Sequence, residues 1–170
     1  KVADFLPEFK KGEMSKISIR NLLTMSSGLS WTESGKNPYS NNAEGYYGNN
    51  LRELVMSQKA IEEPGKFFDY KSGDTQLLTY ILEEATGISL ANYFYDKIWS
   101  KVGVENMGYW NLDKKGGDEK GFCCLYVTLK DYAKLAQLIL NKIEKISWQN
   151  IKILTETKRG DGGFGSTGKQ

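Results

Sequence analysis

A chain of 170 residues with 39% hydrophobic and 26% charged residues has the composition of one globular domain or part of one. The net charge of +2 and the scattered basic residues exclude the basic patch that nucleic-acid or membrane-surface binding would need. The absence of histidine excludes Ser-His-Asp and Cys-His catalysis within the chain, so acid–base chemistry must use Lys, Tyr, Asp or Glu.

The first third of the chain predicts two short helices with a long polar segment between them. Ser18 fits the N-cap of a short helix, which Gly28 is expected to stop. Residues 29–48 are rich in Ser, Asn, Gly and Tyr without periodicity, which predicts a long ordered loop. Apolar residues at helical spacing predict a second helix over residues 50–59.

The middle of the chain predicts the strongest helix. Residues 63–65 form a Glu-Pro-Gly turn, and an extended segment leads out of it. A helix is predicted over residues 74–85, with four apolar residues on one face and Gly87 at its end. Ser89 is expected to cap the next helix.

The last third of the chain predicts two strands and a further helix. The strand-like segments cover residues 106–110 and 121–127, with a polar turn between them. Thr128 begins a pattern typical of a capping box, which predicts a helix through Leu140. Residues 155–170 are polar and rich in glycine. This order of elements predicts a helical subdomain with little strand, and periodicity alone indicates no function.

The two cysteines, Cys123 and Cys124, are adjacent in the sequence. Neighbouring cysteines rarely form a useful crosslink, so we expect no disulfide framework. Two small apolar residues in a strand are the expected state, and a reactive thiol is the alternative. No apolar run approaches the roughly 18 residues needed to span a bilayer.

Three sequence blocks, in order, resemble a known family. Residues 17–29 read ISIRNLLTMSSGL and are similar to the block ITIRHLLTMTSGL, with Asn21 in place of the usual His. Residues 64–75 read PGKFFDYKSGDT and resemble the block P-G-x-x-F-x-Y-[SN]. Residues 121–133 read GFCCLYVTLKDYA and resemble G-G-L-x-x-T-x-x-D-x-A. Together they resemble serine hydrolases of the β-lactamase and penicillin-binding-protein superfamily, which includes class C β-lactamases, D-Ala-D-Ala carboxypeptidases and esterases.

Trp110, the Gly116-Gly117 pair and the two cysteines most resemble the 6-aminohexanoate-oligomer hydrolase and esterase-like branch. The resemblance implies an α/β (α+β) serine β-lactamase-like fold, of which this chain supplies mostly the helical region with a few strands. Residues 1–170 would then form a partial domain. Residues 11–142 would be mainly the helical region, and residues 143–170 the start of the return to the sheet.

The family's nucleophile lies in a Ser-x-x-Lys motif at the start of a buried helix, before the first block. One helical turn brings the two side chains to the same face, so the lysine can take the serine proton. No such segment precedes residue 17, so we expect the nucleophile upstream of this chain and the fragment itself to be inactive. Ser166 and Lys169 match the spacing formally, but the glycines before them disfavour a helix.

The resemblance implies a catalytic role for Tyr70, which occupies the first position of the family's Y-x-N or Y-x-S motif. This role is general base or proton relay to the leaving group. A free tyrosine has a pKa about three units too high for a base at neutral pH, and nearby ammonium groups would lower it. The implied role of Ser72 is a hydrogen bond to substrate or to the catalytic lysine. From residue type alone, Tyr70 would be a strand aromatic with a satisfied hydroxyl. Tyr39 and Tyr47 also begin Y-x-N, and we interpret both as loop residues.

Two further positions are weaker candidates. The family's third motif is K/H-x-G, and Lys169 is a candidate for its first, catalytic position. Trp110 is a candidate for contact with substrate, and core packing is the alternative for it.

The implied reaction is acyl transfer on an ester, amide or β-lactam through an acyl-enzyme, with no metal or organic cofactor. The implied partner is a small-molecule or peptide-like acyl substrate, with no nucleic acid and no membrane-spanning segment. The alternative is a catalytically silent, penicillin-binding-like relative that binds ligands without turnover. A third hypothesis is a helical interaction domain with a chance similarity. Export to the periplasm is favoured over a cytoplasmic location, and the oligomeric state stays open.

Overall fold

The computed structural model describes residues 1–140. This part of the chain contains six α-helices and a two-stranded antiparallel ribbon. The helices are α1 (Ile19–Leu23), α2 (Asn41–Tyr47), α3 (Leu51–Met56), α4 (Ser72–Thr86), α5 (Leu90–Lys97) and α6 (Leu129–Leu140), and the strands are β1 (Tyr109–Trp110) and β2 (Leu125–Tyr126). Short 3-10 helices cover Val2–Asp4, Pro7–Lys10, Gly12–Lys16 and Trp99–Lys101. Within the described residues, no helix is both long enough and apolar enough to cross a membrane.

The hydrophobic core lies between the N-terminal 3-10 helices and the helices α1, α3 and α4. Both α1 and α3 contact α4, which is the longest helix of the described part. The fully buried members of the core include Phe9, Leu22, Leu77 and Tyr80. Burying a large apolar side chain contributes about 1.5–3 kcal/mol, so this cluster anchors α4 firmly.

Hydroxyl side chains begin most of the predicted helices, as the sequence indicated. The Oγ atoms of Ser18 and Ser89 accept backbone N–H bonds at the starts of α1 and α5, and Thr128 does so at α6. Gly87 ends α4 in the left-handed conformation, with φ of +69°. These caps are local interactions, so the sequence alone predicts them.

Three helices differ from the sequence prediction. Helix α1 ends at Leu23, before the expected stop at Gly28, and Met25 already has a left-handed φ of +51°. The predicted loop over residues 29–48 contains α2, because Ser40 Oγ accepts a bond from the backbone N–H of Ala43 and starts a helix there. Helix α3 is shorter than predicted. The side chains of Ser57 and Gln58 both donate to the carbonyl of Leu54, and the helix ends at Met56.

The two predicted strands are confirmed but much shorter than expected. Only two residues of each strand pair, with Tyr109 opposite Tyr126. The interpretation of Cys123 and Cys124 as two small apolar residues in a strand is wrong, because they form a disulfide with each other. The Cys123 N–H closes a turn by donating to Lys120 O, and Cys124 has a φ of +68°, so the strand begins only at Leu125. The predicted return to the sheet over residues 143–170 lies outside the described residues.

Candidate active site

The segment before Tyr70 is held in place by the chain that follows α1. The N–H of Gly65 donates to the carbonyl of Ser26 at 2.8 Å, and the N–H of Asp69 donates to the carbonyl of Met25 at 2.8 Å. These two bonds tie both ends of the extended segment to a fixed backbone. The backbone of Tyr70 is therefore fixed just before α4 begins.

The first residue of α4, Ser72, is bound by a carboxylate from the preceding loop. Glu33 Oε1 accepts from Ser72 Oγ, and Glu33 Oε2 accepts from the Ser72 backbone N–H, both at 2.8 Å. The indole N–H of Trp31 donates to Glu33 Oε2, also at 2.8 Å. A carboxylate at this end of a helix also interacts favourably with the helix dipole. Ser72 is therefore fixed both in its backbone and in its side chain.

A close packing contact accompanies these hydrogen bonds. Trp31 is buried with 4% of its surface exposed, and its ring lies directly against Gly73. A Cβ atom at Gly73 would lie 2.6 Å from Trp31 Cε3. The glycine in the second position of α4 is therefore required by the approach of the indole ring.

A buried polar cluster lies beneath the start of α4. The Lys71 side chain is buried, and its ammonium group pairs with Asp69. Asp74 is fully buried, and its Oδ1 accepts from Ser27 Oγ at 2.6 Å. Burial raises the pKa of Asp74 to about 6, although the Ser27 hydrogen bond and the Lys71 charge oppose this. Within residues 1–140, Asp74 Oδ2 has no hydrogen-bond partner.

Tyr70 itself is accessible, with 53% of its surface exposed. Burial raises the pKa of its neighbour Tyr46, and the charges of Glu33 and of an ionised Tyr70 add to this effect. A Cβ at Gly45, the residue before Tyr46, would lie 3.5 Å from Cη2 of Trp31, whose indole N–H donates to Glu33. We call Tyr70, Ser72, Glu33 and Tyr46 the α4 site, which combines an exposed phenol with a serine and a carboxylate.

Two residues close to the disulfide in sequence contact Tyr46 of the α4 site. The buried Lys120 ammonium donates to the carbonyl of Tyr46 at 2.6 Å, and burial lowers the pKa of Lys120. The ring of Phe122 meets the ring of Tyr46 edge-on at 5.3 Å. In the described residues, no lysine is hydrogen-bonded to the Tyr70 hydroxyl: the Lys71 ammonium binds Asp69, and the Lys120 ammonium binds the carbonyl of Tyr46.

The structure brings together two of the predicted site residues and separates a third from them. Tyr70 and Ser72 lie together in the α4 site, whereas Lys169 lies outside the described residues. Trp110 lies in the ribbon, where its indole N–H donates to the carbonyls of Lys120 and Cys123, each at 2.8 Å.

The ring of Trp110 packs edge-on against Phe94 of α5 at 5.7 Å. Trp110 and Phe94 line a half-open cavity of about 450 Å³, together with Trp99 and Met107. Neither Tyr70 nor Ser72 lines this cavity. Packing between the ribbon and α5 therefore accounts for the position of Trp110 in the described part of the chain.

The two alternative Y-x-N tyrosines are highly exposed, and the ring of Tyr47 lies 6.3 Å from that of Tyr46. Tyr39 and Tyr47 are 94% and 90% exposed. Tyr47 is the last residue of α2, so its interpretation as a loop residue is wrong, for the Ser40 capping reason given above. Both tyrosines line the same shallow surface depression.

The sequence patterns missed three charged residues, one in the α4 site and two in the buried cluster beneath it. Lys71 and Asp74 belong to the block that predicted Tyr70, but no pattern indicated that both would be buried. Glu33 lies in a segment without periodicity, and its contact with Ser72 joins residues that are far apart in sequence. Across residues 1–140, no three His, Cys, Asp or Glu side chains lie close enough together to hold a metal ion.

Comparison with known proteins identifies one family over nearly the whole chain. The beta-lactamase family profile matches residues 1–167. A solved structure assigned as a 6-aminohexanoate-dimer hydrolase from Bacillus anthracis has a TM-score of 0.73 at 26% identity, covering 85% of this chain and 41% of that one. A class C β-lactamase has a TM-score of 0.55 at 15% identity, covering 84% of this chain and 43% of that one. The predicted β-lactamase-like fold is therefore confirmed, and this chain spans about two fifths of those structures.

A short similarity points to an unrelated enzyme. A deoxyuridine 5'-triphosphate nucleotidohydrolase from Rickettsia akari is 60% identical over 35 residues. This match covers 21% of this chain and 24% of that protein. Such coverage carries neither the fold nor the activity of that enzyme to the present chain.

Proposed function

This chain belongs to the beta-lactamase family, and we propose that it is part of a serine hydrolase that transfers an acyl group from an ester, amide or β-lactam. The family confirms the resemblance inferred from the three sequence blocks. The activity is proposed for the complete protein, because this chain spans 41% of the most similar hydrolase structure described above.

The observation that carries this proposal is the arrangement of Tyr70 and Ser72 at the start of α4. Tyr70 presents an exposed phenol from a backbone that two hydrogen bonds fix in place. Ser72, two residues later, is bound through both its N–H and its hydroxyl. A proton-transfer group needs this combination of accessibility and fixed geometry.

We propose that Tyr70 relays a proton to the leaving group during acyl transfer. A tyrosine does this at neutral pH only when cations lower its pKa. Neither Lys71 nor Lys120 is hydrogen-bonded to the Tyr70 hydroxyl, so we propose that the cation comes from another part of the protein. A Ser-x-x-Lys pair outside this chain would supply both the cation and the nucleophile, and backbone N–H groups would stabilise the oxyanion.

Lys169 and Trp110 keep secondary roles in the proposal. Lys169 is proposed as a second cation for the tyrosine, on the basis of the sequence pattern alone. Trp110 is proposed as a substrate contact only if the substrate extends into the cavity beside α5, because its ring already packs against Phe94. The partial-domain boundaries at residues 11–142 and 143–170 are likewise part of the proposal.

The proposal is tested by replacing Tyr70 with phenylalanine in the complete gene product. Tyr39→Phe is the matched control, because Tyr39 is exposed and also begins a Y-x-N sequence. Turnover is measured on a chromogenic ester, a chromogenic cephalosporin and the linear 6-aminohexanoate dimer. Tyr70→Phe should lower kcat by about a hundredfold or more on the substrate that wild type turns over best, since acid–base catalysis contributes about 10²–10⁴-fold.

Tyr39→Phe should keep the wild-type rate. If Tyr70→Phe turns over as fast as Tyr39→Phe, the role of Tyr70 is wrong. Binding of these compounds to a folded wild type without turnover would instead support the catalytically silent relative.

A further inference from the structure

We propose that Glu33 is a positioning residue of the α4 site, and that it restricts Ser72 Oγ to accepting hydrogen bonds from its further partners. This inference rests on the proposed acyl transfer and adds a residue that no sequence block contains. Glu33 acts through Ser72 and does not itself touch the reacting atoms.

The direction of the Glu33–Ser72 hydrogen bond follows from the chemistry of the two groups. An ionised carboxylate has no hydrogen to donate, so all three of its partners must be donors. These donors are the indole N–H of Trp31, the backbone N–H of Ser72 and the hydroxyl of Ser72, each at 2.8 Å. Both carboxylate oxygens are therefore occupied, and the single hydroxyl hydrogen of Ser72 is committed to Glu33.

This commitment decides what Ser72 can bind next. A serine hydroxyl has one hydrogen and two acceptor lone pairs. With its hydrogen on Glu33, Ser72 Oγ can only accept, so a carbonyl oxygen of the substrate is excluded as its partner. The remaining partners are hydrogen-bond donors. Among the reacting groups of acyl transfer, we propose the ammonium group of a catalytic lysine or an amide N–H of the substrate. The negative charge of Glu33 behind the hydroxyl strengthens either bond.

The packing around Glu33 fits a positioning role. Trp31 is buried against Gly73 and donates to the same oxygen that binds the Ser72 N–H. The carboxylate thus lies between a fixed indole ring and a fixed helix end. Glu33 lies 39 residues before Ser72 in the sequence. Its carboxylate caps the start of α4, where the side chain of the N-cap residue Lys71 makes no capping hydrogen bond.

Glu33→Gln tests the assignment with almost no change in size. A glutamine that keeps its oxygen on the two N–H donors must direct its NH₂ group at Ser72 Oγ, which reverses that hydrogen bond. We expect kcat of the complete gene product to fall about tenfold to a hundredfold, as for loss of a charge-assisted bond, with little change in KM. Glu8→Gln is the matched control, because Glu8 is exposed and loses the same charge.

A double variant separates positioning from general destabilisation. If Glu33 acts through Ser72, Glu33→Gln should add nothing to the loss caused by Ser72→Ala, so the double variant should match Ser72→Ala within about twofold. Comparing an ester with an amide of the same acyl group identifies the donor. If Glu33→Gln lowers kcat equally for the ester and the amide, the donor to Ser72 is the lysine ammonium. If kcat falls more for the amide, the donor is the substrate N–H.

Thermal melts of each variant establish that it is folded at the assay temperature. If Glu33→Gln is unfolded, the test relies on Ser72→Ala, because that variant keeps the hydrogen bond from the residue 72 backbone N–H to Glu33. This assignment is overturned if the wild type is active and either Glu33→Gln or Ser72→Ala keeps full activity. It is also overturned if the kcat losses of the two variants add fully in the double variant. Neither result contradicts the proposed acyl transfer. A folded wild type without turnover overturns the proposed function and this assignment with it.

Discussion

Replacing Gly73 with alanine is expected to destabilise the protein, because the start of α4 has no room for a methyl group. The added Cβ would lie 2.6 Å from Cε3 and 2.8 Å from Cδ2 of Trp31. The indole ring is buried, and its N–H is bonded to Glu33, so the ring cannot turn away without losing that bond. Either the ring or the first turn of α4 must therefore shift.

The size of the effect follows from two opposing contributions. Forcing an extra carbon into a packed site costs about 1–3 kcal/mol. Replacing glycine with alanine within a helix stabilises the helix by up to about 1 kcal/mol, which opposes this cost. A Cβ at 2.6 Å places the cost at the upper end of that range, so we expect the free energy of unfolding to fall by about 2 kcal/mol in Gly73→Ala.

Urea unfolding of the complete gene product, followed by far-UV circular dichroism, measures this change. Gly35→Ala is the matched control, since a Cβ at Gly35 meets no atom within 4 Å. Trp31→Phe in the Gly73→Ala background should recover part of the loss, because a smaller ring leaves space for the methyl group. If Gly73→Ala unfolds at the same urea concentration as Gly35→Ala, the close packing of Trp31 on α4 is refuted.

Three further predictions concern buried charges and the disulfide. The raised pKa of Asp74, about 6 against 3.8 for a free aspartate, means that the folded state favours its protonated form, so its contribution to stability is lost as pH rises from about 4 to 6. Asp74→Asn should therefore gain stability over wild type across this interval, by up to about 3 kcal/mol, in urea unfolding at several pH values. Hydrogen bonds from the Glu105 N–H, the Asn106 amide and the Thr128 hydroxyl hold the pKa of Asp131 below its usual range. Asp131→Asn should lower Tm at pH 7, and the difference should shrink at pH 3, where wild type begins to lose the same contribution. Denatured, unreduced protein should take up no iodoacetamide at Cys123 and Cys124, and two labels should appear after reduction, as mass spectrometry would show.

Local signals in the sequence predicted most of the fold. Ser18, Ser89 and Gly87 act through bonds to residues within a few positions of themselves, so their roles can be predicted without tertiary structure. Helix α2 was missed because only Ser40 indicates it, within a polar stretch that has no apolar periodicity. The second strand was predicted too long, because residues 121–124 are small or apolar, as in a strand, but turn at the disulfide.

Only part of the α4 site could be predicted from local sequence. A contiguous motif contains Tyr70 and Ser72, so the resemblance could identify both. Glu33 binds Ser72 where Trp31 packs on Gly73, and both contacts depend on the tertiary arrangement of two segments that are distant in sequence. The cavity beside Trp110 is likewise formed by several elements, and no motif indicated that it would lie apart from Tyr70.

The most direct test of the serine-hydrolase account is covalent labelling of the complete gene product with a fluorophosphonate probe, followed by intact-mass measurement. The account predicts a single adduct, mapped by peptide mass to a serine outside residues 1–170 and formed more slowly in Tyr70→Phe than in Tyr39→Phe. No adduct on a protein shown to be folded would contradict it, as would an adduct whose rate of formation does not depend on Tyr70.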